Sequence, residues 1–220
     1  MIPRFEKNIF VQYAKGRIKA NKNFLVVVTG ETGSGKSWAA ISLAKMINPD
    51  FSEEHIVLSY LDLIEIAESR KFPKGTVLVF DEVSAEALQA RDAMSKKNKN
   101  VSAILQTFRN LNYVVFFTTP DISFVDSQAR RLMHMVLVTR HINTKAERCK
   151  LQMYFIRINR IKGSMYYQIP RVKINDEYFR CSYLSVPKPP DELIQVYEKK
   201  KWFFQKRLYK KLKKEFAEEV

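Results

Sequence analysis

The sequence predicts an α/β fold in which a mainly parallel sheet is covered by helices, followed by a β-hairpin and a basic helix. Two observations support the α/β part. Apolar segments of strand length alternate with segments of helical character between residues 24 and 139, and polar residues follow the ends of several strands. Strands separated by helices are typical of a parallel sheet that is covered on both faces. Such sheets bind ligands at the carboxyl ends of their strands, so we expect the functional residues there.

Residues 24–37, with the sequence FLVVVTGETGSGKS, contain the strongest functional signal. Five consecutive apolar residues predict a buried strand, residues 30–37 match G-x-x-x-x-G-K-[ST] in full, and residues 38–46 have helical character. Glycines let successive backbone N–H groups point inward, and the helix dipole adds positive potential, so such a loop binds phosphate groups. A glycine-rich turn with an incidental Lys-Ser pair is the alternative, which the complete spacing and flanks disfavour. We predict nucleoside triphosphate binding by Gly30, Glu31, Thr32, Gly33, Ser34, Gly35, Lys36, Ser37 and Trp38.

The residues for the metal and for hydrolysis are predicted from this loop and from a second strand. Lys36 would reach the β- and γ-phosphates, and Ser37 would bind Mg²⁺. Residues 76–80 form a strongly apolar strand that ends in Asp81-Glu82. An acid in this place holds Mg²⁺ through water, and a following Glu can polarise the attacking water. We predict Asp81 as the metal residue and Glu82 as the catalytic base. Solvated acids at a strand end are the alternative, but the position roughly 45 residues after the loop favours the functional interpretation.

The other segments up to residue 139 continue the alternation of strands and helices. Thr118 and Thr119 follow a third buried strand, where a hydroxyl is placed to contact the γ-phosphate or the attacking water. A threonine that caps the strand before a turn is an equal alternative for either residue. The expected strands are 55–59, 113–117 and 134–139, and the expected helices are 60–70, 84–97 and 126–132. Residues 101–110 are expected to form another helix or a helix together with a strand.

Composition limits the class of protein. A chain of 220 residues holds one good core plus an appendage, and its 46% hydrophobic and 28% charged residues are typical of a globular protein in water. No apolar run approaches the roughly 18–20 residues of a membrane span, and charges interrupt the N-terminus too often for a signal peptide. The two cysteines, Cys149 and Cys181, exclude a disulfide framework, so we expect a cytoplasmic location. The formal net charge of +15 suggests a polyanionic partner, nucleic acid before a membrane surface.

The pattern changes near residue 145, so we divide the chain into a core at 1–145, a basic β-hairpin extension at 146–186, and a Pro linker with a basic helix at 187–220. The segments 150–158 and 164–174 are β-type and are joined by a short connection that ends in Gly, which predicts an antiparallel hairpin. Basic residues and tyrosines are interleaved along it. They either line a path for nucleic acid or form a solvated edge over a packed inner face.

The C-terminal segment is predicted to be one long helix. Between Lys199 and Lys214 it carries nine basic residues and no acidic one. Three interpretations are open: docking on the core or a neighbouring subunit with the basic face toward phosphates, binding to a membrane surface, or a solvated helix. The expected apolar side consists of Leu193, Val196, Tyr197, Phe204, Leu208, Leu212 and Phe216.

These motifs also carry a resemblance to known proteins. The loop, Asp81-Glu82, the hydroxyl-bearing strand after them and an extra strand between the two motifs resemble the RecA-like P-loop ATPases that carry a catalytic Glu. Within that group the chain is similar to HerA/FtsK-type DNA-pumping ATPases, in particular single-domain proteins of archaeal genomes, plasmids and viruses. The resemblance covers roughly residues 8–140 through GETGSGKSWAA, VLVFDE, NKNVSAILQTFRNLN and FFTTPDISFVDSQARRL. The tail PPDELIQVYEKKKWFF also resembles the ends of those proteins.

The resemblance implies ATP and Mg²⁺ as cofactors and a homo-oligomeric ring, commonly a hexamer, with ATP at each subunit interface and DNA in the middle. It also implies an arginine from the neighbouring subunit that neutralises charge on the γ-phosphate. The candidates for this arginine are Arg109, Arg130 and Arg131, and Arg91 is a less favoured one. Gln106 is the candidate for a second γ-phosphate sensor. The sequence shows no membrane anchor, winged-helix module or barrel domain of the larger members, which leaves genome packaging, plasmid transfer or replication as expected roles.

We therefore predict ATP hydrolysis that drives nucleic-acid translocation, with DNA as the expected polymer. The alternative is a membrane-associated assembly or extrusion ATPase similar to the Zot-like proteins of filamentous phages, with peripheral membrane contact. A small-molecule kinase is disfavoured because Glu82 follows Asp81 directly and no Arg-rich lid is recognisable. A GTPase is disfavoured because residues 98–101, Asn-Lys-Asn-Val, do not form the Asn-Lys-x-Asp guanine motif.

Overall fold

The computed structural model describes residues 9–81 and 105–218. Glu82, Arg91, the predicted helix at 84–97 and the start of the one at 101–110 lie outside the described residues. The strands are β1 (Phe24–Thr29), β2 (Ile56–Val57), β3 (Val77–Phe80), β4 (Val114–Thr119), β5 (Met135–Asn143), β6 (Arg148–Ile158), β7 (Met165–Gln168), β8 (Arg171–Ile174), β9 (Glu177–Arg180) and β10 (Tyr183–Pro187). The helices are α1 (Ile9–Lys19), α2 (Lys36–Ile47), α3 (Tyr60–Ser69), α4 (residues 105–111), α5 (Ser127–Leu132) and α6 (Asp191–Glu218).

The central sheet is mostly parallel, as predicted. Its strand order is β10-β6-β5-β1-β4-β3-β2, with β7 paired to β6. The strands from β5 to β2 in this order pair in parallel, and β6, β7 and β10 are antiparallel additions at one side. Strand β4 lies between β1, which leads into the phosphate loop, and β3, which ends before Asp81. The fold is therefore that of a RecA-like P-loop ATPase, in which an extra strand separates the two motifs.

Helices cover both faces of the sheet, which explains why its inner strands β1, β3 and β4 are buried at every position. All six residues of β1 are buried. Its alternate residues point to opposite faces: Phe24, Val26 and Val28 pack in the cluster that contains α1 and α2, whereas Leu25 and Val27 pack in the cluster that contains α3 and α4. This double cover holds the loop after β1 between two packed layers.

The predicted hairpin is confirmed in its first part and wrong in its second. Strand β6 pairs with β7, but the predicted strand at 164–174 is divided between two sheets. Pro170 follows β7 and has no N–H to continue the ladder. Beyond it, β8 pairs with β9 through a two-residue turn in which Asn175 and Asp176 have positive φ angles. The division of the chain at residues 145 and 146 stays a prediction, although β6 beyond it pairs with β5 in the central sheet.

The predicted C-terminal helix is confirmed as α6, which has 28 residues. Its first half packs on the core through buried Ile194 and Tyr197 and partly buried Leu193 and Phe204. Of the helices in the described residues, none is long and apolar enough to cross a membrane.

Candidate nucleotide-binding site

The phosphate loop connects β1 to α2 through a backbone that requires glycine. Gly30, Gly33 and Gly35 have φ angles of 149°, 78° and 83°, in the region that L side chains rarely adopt. A Cβ atom on Gly30 would lie 1.8 Å from Oγ1 of Thr139. That hydroxyl lies 2.6 Å from Oγ of Ser34 and 3.2 Å from the carbonyl oxygen of Thr29. Strand β5 therefore supports the loop through Thr139, and Gly30 leaves the space that this contact needs.

Six of the nine predicted loop residues line one pocket at the carboxyl ends of β1 and β4. The ammonium group of Lys36 donates a hydrogen bond of 2.7 Å to the carbonyl oxygen of Glu31 within the loop. Lys36 and Ser37 stand in the first turn of α2, where the helix N-terminus favours anions. The pocket has a volume of about 670 Å³. It is lined by Thr32, Gly33, Gly35, Lys36, Ser37, Trp38, Thr118 and Thr119, and by residues of α6.

Asp81 lies at the centre of this arrangement. It is only 1% exposed, and its carboxylate accepts four hydrogen bonds. Ser37 and Thr118 each donate to Oδ1 at 2.6 Å. Tyr197 donates to Oδ2 at 2.6 Å, and the Lys201 ammonium lies 3.3 Å from the same oxygen. The donors of the loop and of α6 therefore approach the carboxylate from two sides.

Ser37 and Asp81 fit the predicted metal. A hydroxyl and a carboxylate within hydrogen-bonding distance offer the oxygen ligands that Mg²⁺ prefers, and Mg²⁺ keeps several waters in such sites. When bound, Mg²⁺ would neutralise charge on the β- and γ-phosphates. Lys36 and the α2 N-terminus, at the same end of the loop, would hold the phosphates.

Tyr197 and Lys201 are site residues that the sequence did not reveal. Tyr197 was expected on an apolar side of the C-terminal helix, and it does lie buried there, but its hydroxyl reaches Asp81. Burial, first, and the Asp81 charge, second, raise the pKa of Tyr197 well above its ordinary value. The phenol thus stays protonated and donates at any physiological pH. The nearby Lys201 ammonium lies 3.2 Å from its oxygen.

The two threonines after β4 differ in their contacts. Thr118 shares the Asp81 carboxylate with Ser37, whereas the Thr119 hydroxyl donates to the carbonyl oxygen of Asp121 at 2.9 Å. Thr119 therefore makes the contact expected of a residue that caps a strand before a turn. The role of either hydroxyl at the γ-phosphate stays a prediction.

The predicted sensor and arginine residues are not among the residues that line the pocket of the phosphate loop. Gln106 and Arg109 are exposed on α4, which ends just before β4 begins, so Arg109 lies at the edge of the sheet opposite the loop. Arg131 donates to the carbonyl oxygen of Gly163 at 3.0 Å. The Nε atom of Arg130 is buried and has no hydrogen-bond partner among the described residues. An arginine that acts on a neighbouring subunit need not contact its own loop, so these assignments stay predictions, as does Glu82.

The fold and the site define the class of protein. A phosphate loop after β1, with a buried acid after β3 and β4 between the two strands, identifies the chain as a P-loop ATPase that uses ATP and Mg²⁺. The family model of zonular occludens toxin (Zot) matches residues 45–198. This match covers more than half of the chain, and the chain belongs to the Zot family. The matched segment begins after the phosphate loop and extends into α6.

The chain is also similar to several solved structures, three of which follow. The N-terminal domain of zonular occludens toxin from Neisseria meningitidis is 18% identical, with 72% of this chain and 100% of that chain covered and a TM-score of 0.41. A KaiC-like protein from Pyrococcus horikoshii is 13% identical, with coverage of 76% and 90% and a TM-score of 0.36. ATPases 2 and 3 of EssC from Geobacillus thermodenitrificans are 10% identical, with coverage of 81% and 42% and a TM-score of 0.41. No curated protein matches the chain significantly.

Proposed function

We propose that the chain is the ATPase of an assembly or extrusion machine, similar in role to the Zot-like assembly proteins of filamentous phages. The observation that carries this proposal is the match of the Zot family model to residues 45–198. That segment contains Asp81, β4 and Tyr197 of α6, whose hydroxyl donates to Asp81. The resemblance to HerA/FtsK-type translocases stays a prediction beside it.

ATP binds, in this proposal, with its base toward β5 and β6. Asp81 and Thr118 lie on the β3 and β4 side of the loop, so the metal and the γ-phosphate belong there and the nucleoside must extend the other way. A second pocket of about 230 Å³ opens on that side of the loop. Its lining is largely apolar, as a purine base requires. The residues that would contact the base are Trp38, Ile142, Cys149, Pro187 and Pro189.

The exposed half of α6 supports contact with a membrane surface. Trp202, Tyr209 and Phe216 are 54%, 59% and 67% exposed and recur every seven residues, so they form one stripe along the helix. Lys206 and Lys213 stand between them on the same side. Aromatic residues together with lysines are typical of helices that lie in the interface of an anionic membrane. This stripe differs from the buried side of the helix that contains Tyr197, so the expectation that Phe216 shares the side of Tyr197 is wrong.

Flotation with vesicles tests the proposal. We expect the protein to float with vesicles that contain phosphatidylglycerol and to stay behind with vesicles of phosphatidylcholine alone. The double variant Trp202→Ser and Tyr209→Ser should lower the affinity at least about tenfold, since each aromatic residue buries apolar area in the interface. The control is Tyr178→Ser, which removes an aromatic residue that is 69% exposed on β9. Failure of the wild-type protein to float with anionic vesicles would refute the membrane role.

A nucleic-acid translocase is the second candidate, favoured by the hairpin of β8 and β9. Arg171 stands directly opposite Arg180, and Lys173 stands opposite Tyr178, with all four side chains exposed. Like charges directly opposite each other destabilise a strand pair, so a polyanion beside them would stabilise the hairpin. The formal net charge of +15 points the same way.

DNA-dependent ATP turnover over a range of salt concentrations tests this candidate. If the chain is a translocase, the double variant Arg171→Gln and Arg180→Gln should weaken DNA binding. The slope of the logarithm of the affinity against the logarithm of the salt concentration should decrease by the amount expected for about two phosphate contacts. The control pair is Lys15→Gln with Lys19→Gln, two exposed basic residues of α1. Turnover that neither single- nor double-stranded DNA changes would eliminate the candidate. A ring of subunits with an arginine supplied in trans is part of both candidates.

A further inference from the structure

The contacts of α6 with Asp81 exceed what docking of a helix requires. Tyr197 and Lys201 are four residues apart, so they lie one above the other on the same face of the helix. Both point at Oδ2 of a carboxylate that has almost no exposed surface. An ionised carboxylate offers about four positions to hydrogen-bond donors. Ser37 and Thr118 occupy the positions on Oδ1, and the two α6 residues occupy those on Oδ2.

This arrangement conflicts with the predicted use of Asp81. A metal-bound water would donate to the same carboxylate, and its oxygens already accept four protein donors. The conflict is also electrostatic, because the Lys201 ammonium and a divalent cation carry charges of the same sign and would share one buried carboxylate. Lys201 must therefore leave Oδ2 before a divalent cation can be held there. Tyr197 is neutral, and its hydroxyl can remain or turn aside.

We propose that α6 is a latch on the metal site, closed when Tyr197 and Lys201 hold Asp81 and released when a divalent cation binds with the nucleotide. This inference rests on the assignment of Ser37 and Asp81 as the metal residues. Lys200, the neighbour of Lys201, donates to the carbonyl oxygens of Ile56 at 2.6 Å and Glu53 at 3.0 Å. Lys200 and Lys201 thus both hold α6 to polar groups of the core, in addition to its apolar packing, and release of Lys201 removes one of these polar contacts.

The consequence lies outside the pocket. Trp202 follows Lys201 directly and begins the aromatic stripe, so the latch and the stripe belong to one rigid helix. Release of the latch removes a contact between the core and the helix that carries the exposed stripe. Binding of metal and nucleotide would in this way alter the interaction of the stripe with the surface that it contacts.

Binding of Mn²⁺ in the presence of a non-hydrolysable ATP analogue, followed by electron paramagnetic resonance, tests the latch without turnover. Lys201→Met keeps the aliphatic stem and removes the ammonium, so we expect Mn²⁺ to bind about tenfold more tightly. The matched control is Lys199→Met, an exposed residue of the same helix, which should stay within about twofold of wild type. Tyr197→Phe removes one neutral donor and should give a smaller gain. Thermal unfolding shows whether the Lys201→Met variant folds. If it does not, the Mn²⁺ affinity of Tyr197→Phe tests the latch in its place.

Hydrogen exchange of residues 197–208 supplies the second readout. In wild type, Mn²⁺ with the analogue should speed exchange in this segment, because the latch is released. Unchanged or weaker Mn²⁺ affinity in Lys201→Met, or slower exchange on ligand binding, would overturn the latch. The metal-free affinity for a fluorescent ATP analogue separates the two levels of the argument. If wild type fails to bind that analogue, the nucleotide site itself is wrong, whereas normal analogue binding with either adverse result refutes the latch alone.

Discussion

Acidification should destabilise the fold through His134, which stands where β1, β5 and β6 meet. Nδ1 of His134 accepts a hydrogen bond of 3.1 Å from the backbone N–H of Leu25. Burial, first, and the charge of Arg17, second, lower the pKa of His134 to about 4. A protonated imidazole has two donors and no acceptor, so protonation would leave the Leu25 N–H without its partner. The folded protein therefore needs His134 neutral.

The expected loss of stability follows from the two pKa values. In the unfolded chain the pKa of histidine is about 6.5, so between about pH 6.5 and about pH 4 the unfolded state binds a proton that the folded state does not. The stabilisation is complete above this window and is lost as the pH falls through it. Linkage gives a loss of about 2 kcal/mol between about pH 7.5 and pH 5. Burial also lowers the pKa of His55, so wild type should lose somewhat more than His134 alone accounts for.

Urea unfolding at the two pH values isolates the contribution of His134. His134→Asn places an amide oxygen where Nδ1 accepts from Leu25 and does not titrate, so this variant should lose about 2 kcal/mol less than wild type on acidification. His141→Asn, at an exposed position, controls for the exchange of residue type. If His134→Asn and wild type lose the same free energy of unfolding, the assignment of the pH dependence to this imidazole is wrong.

The nucleotide site allows three further predictions. Gly30→Ala should weaken binding of a fluorescent ATP analogue at least tenfold and cost about 1–3 kcal/mol in stability. A second change, Thr139→Ala, should restore part of the binding because it removes the atom 1.8 Å from the new Cβ. Normal binding by the Gly30→Ala variant would contradict the loop geometry. Lys36→Ala should lose tight ATP binding, whereas Glu82→Gln should keep it and lose turnover, and parental turnover in Glu82→Gln would show that the base is another group. Arg131→Ala should lower turnover by about 10³-fold and recover part of it when mixed with Lys36→Ala subunits. No recovery on mixing would exclude donation of Arg131 across an interface.

The sequence predicted best what is encoded locally. Five consecutive apolar residues at 24–28 and an apolar strand before Asp81 identify β1 and β3, because strands buried on both faces are nearly continuous apolar runs. The complete loop pattern then places the phosphates. The contact between Tyr197 and Asp81 had no local signal, since 116 residues separate the two in the chain and a tyrosine on an apolar stripe looks like any core residue. The division of the predicted strand at 164–174 was also missed, although Pro170 within it is a signal against a continuous strand.

The buried state of Asp81 links these observations into one physical requirement. A carboxylate that is 1% exposed must be surrounded by donors or by a cation, because an unpaired buried charge costs several kcal/mol. In this protein α6 supplies two of the four groups, so the helix belongs to the nucleotide site as much as the phosphate loop does. Tyr209 lies eight residues beyond Lys201, which corresponds to about 12 Å along a continuous helix. A change in the contacts of Asp81 Oδ2 can therefore be transmitted to the aromatic stripe through the continuous helix α6. A variant that interrupts α6 beyond the residues that line the pocket, such as Leu208→Pro, should keep binding of the fluorescent ATP analogue. It should also remove the effect of metal binding on hydrogen exchange beyond the break, where Tyr209 and Phe216 lie.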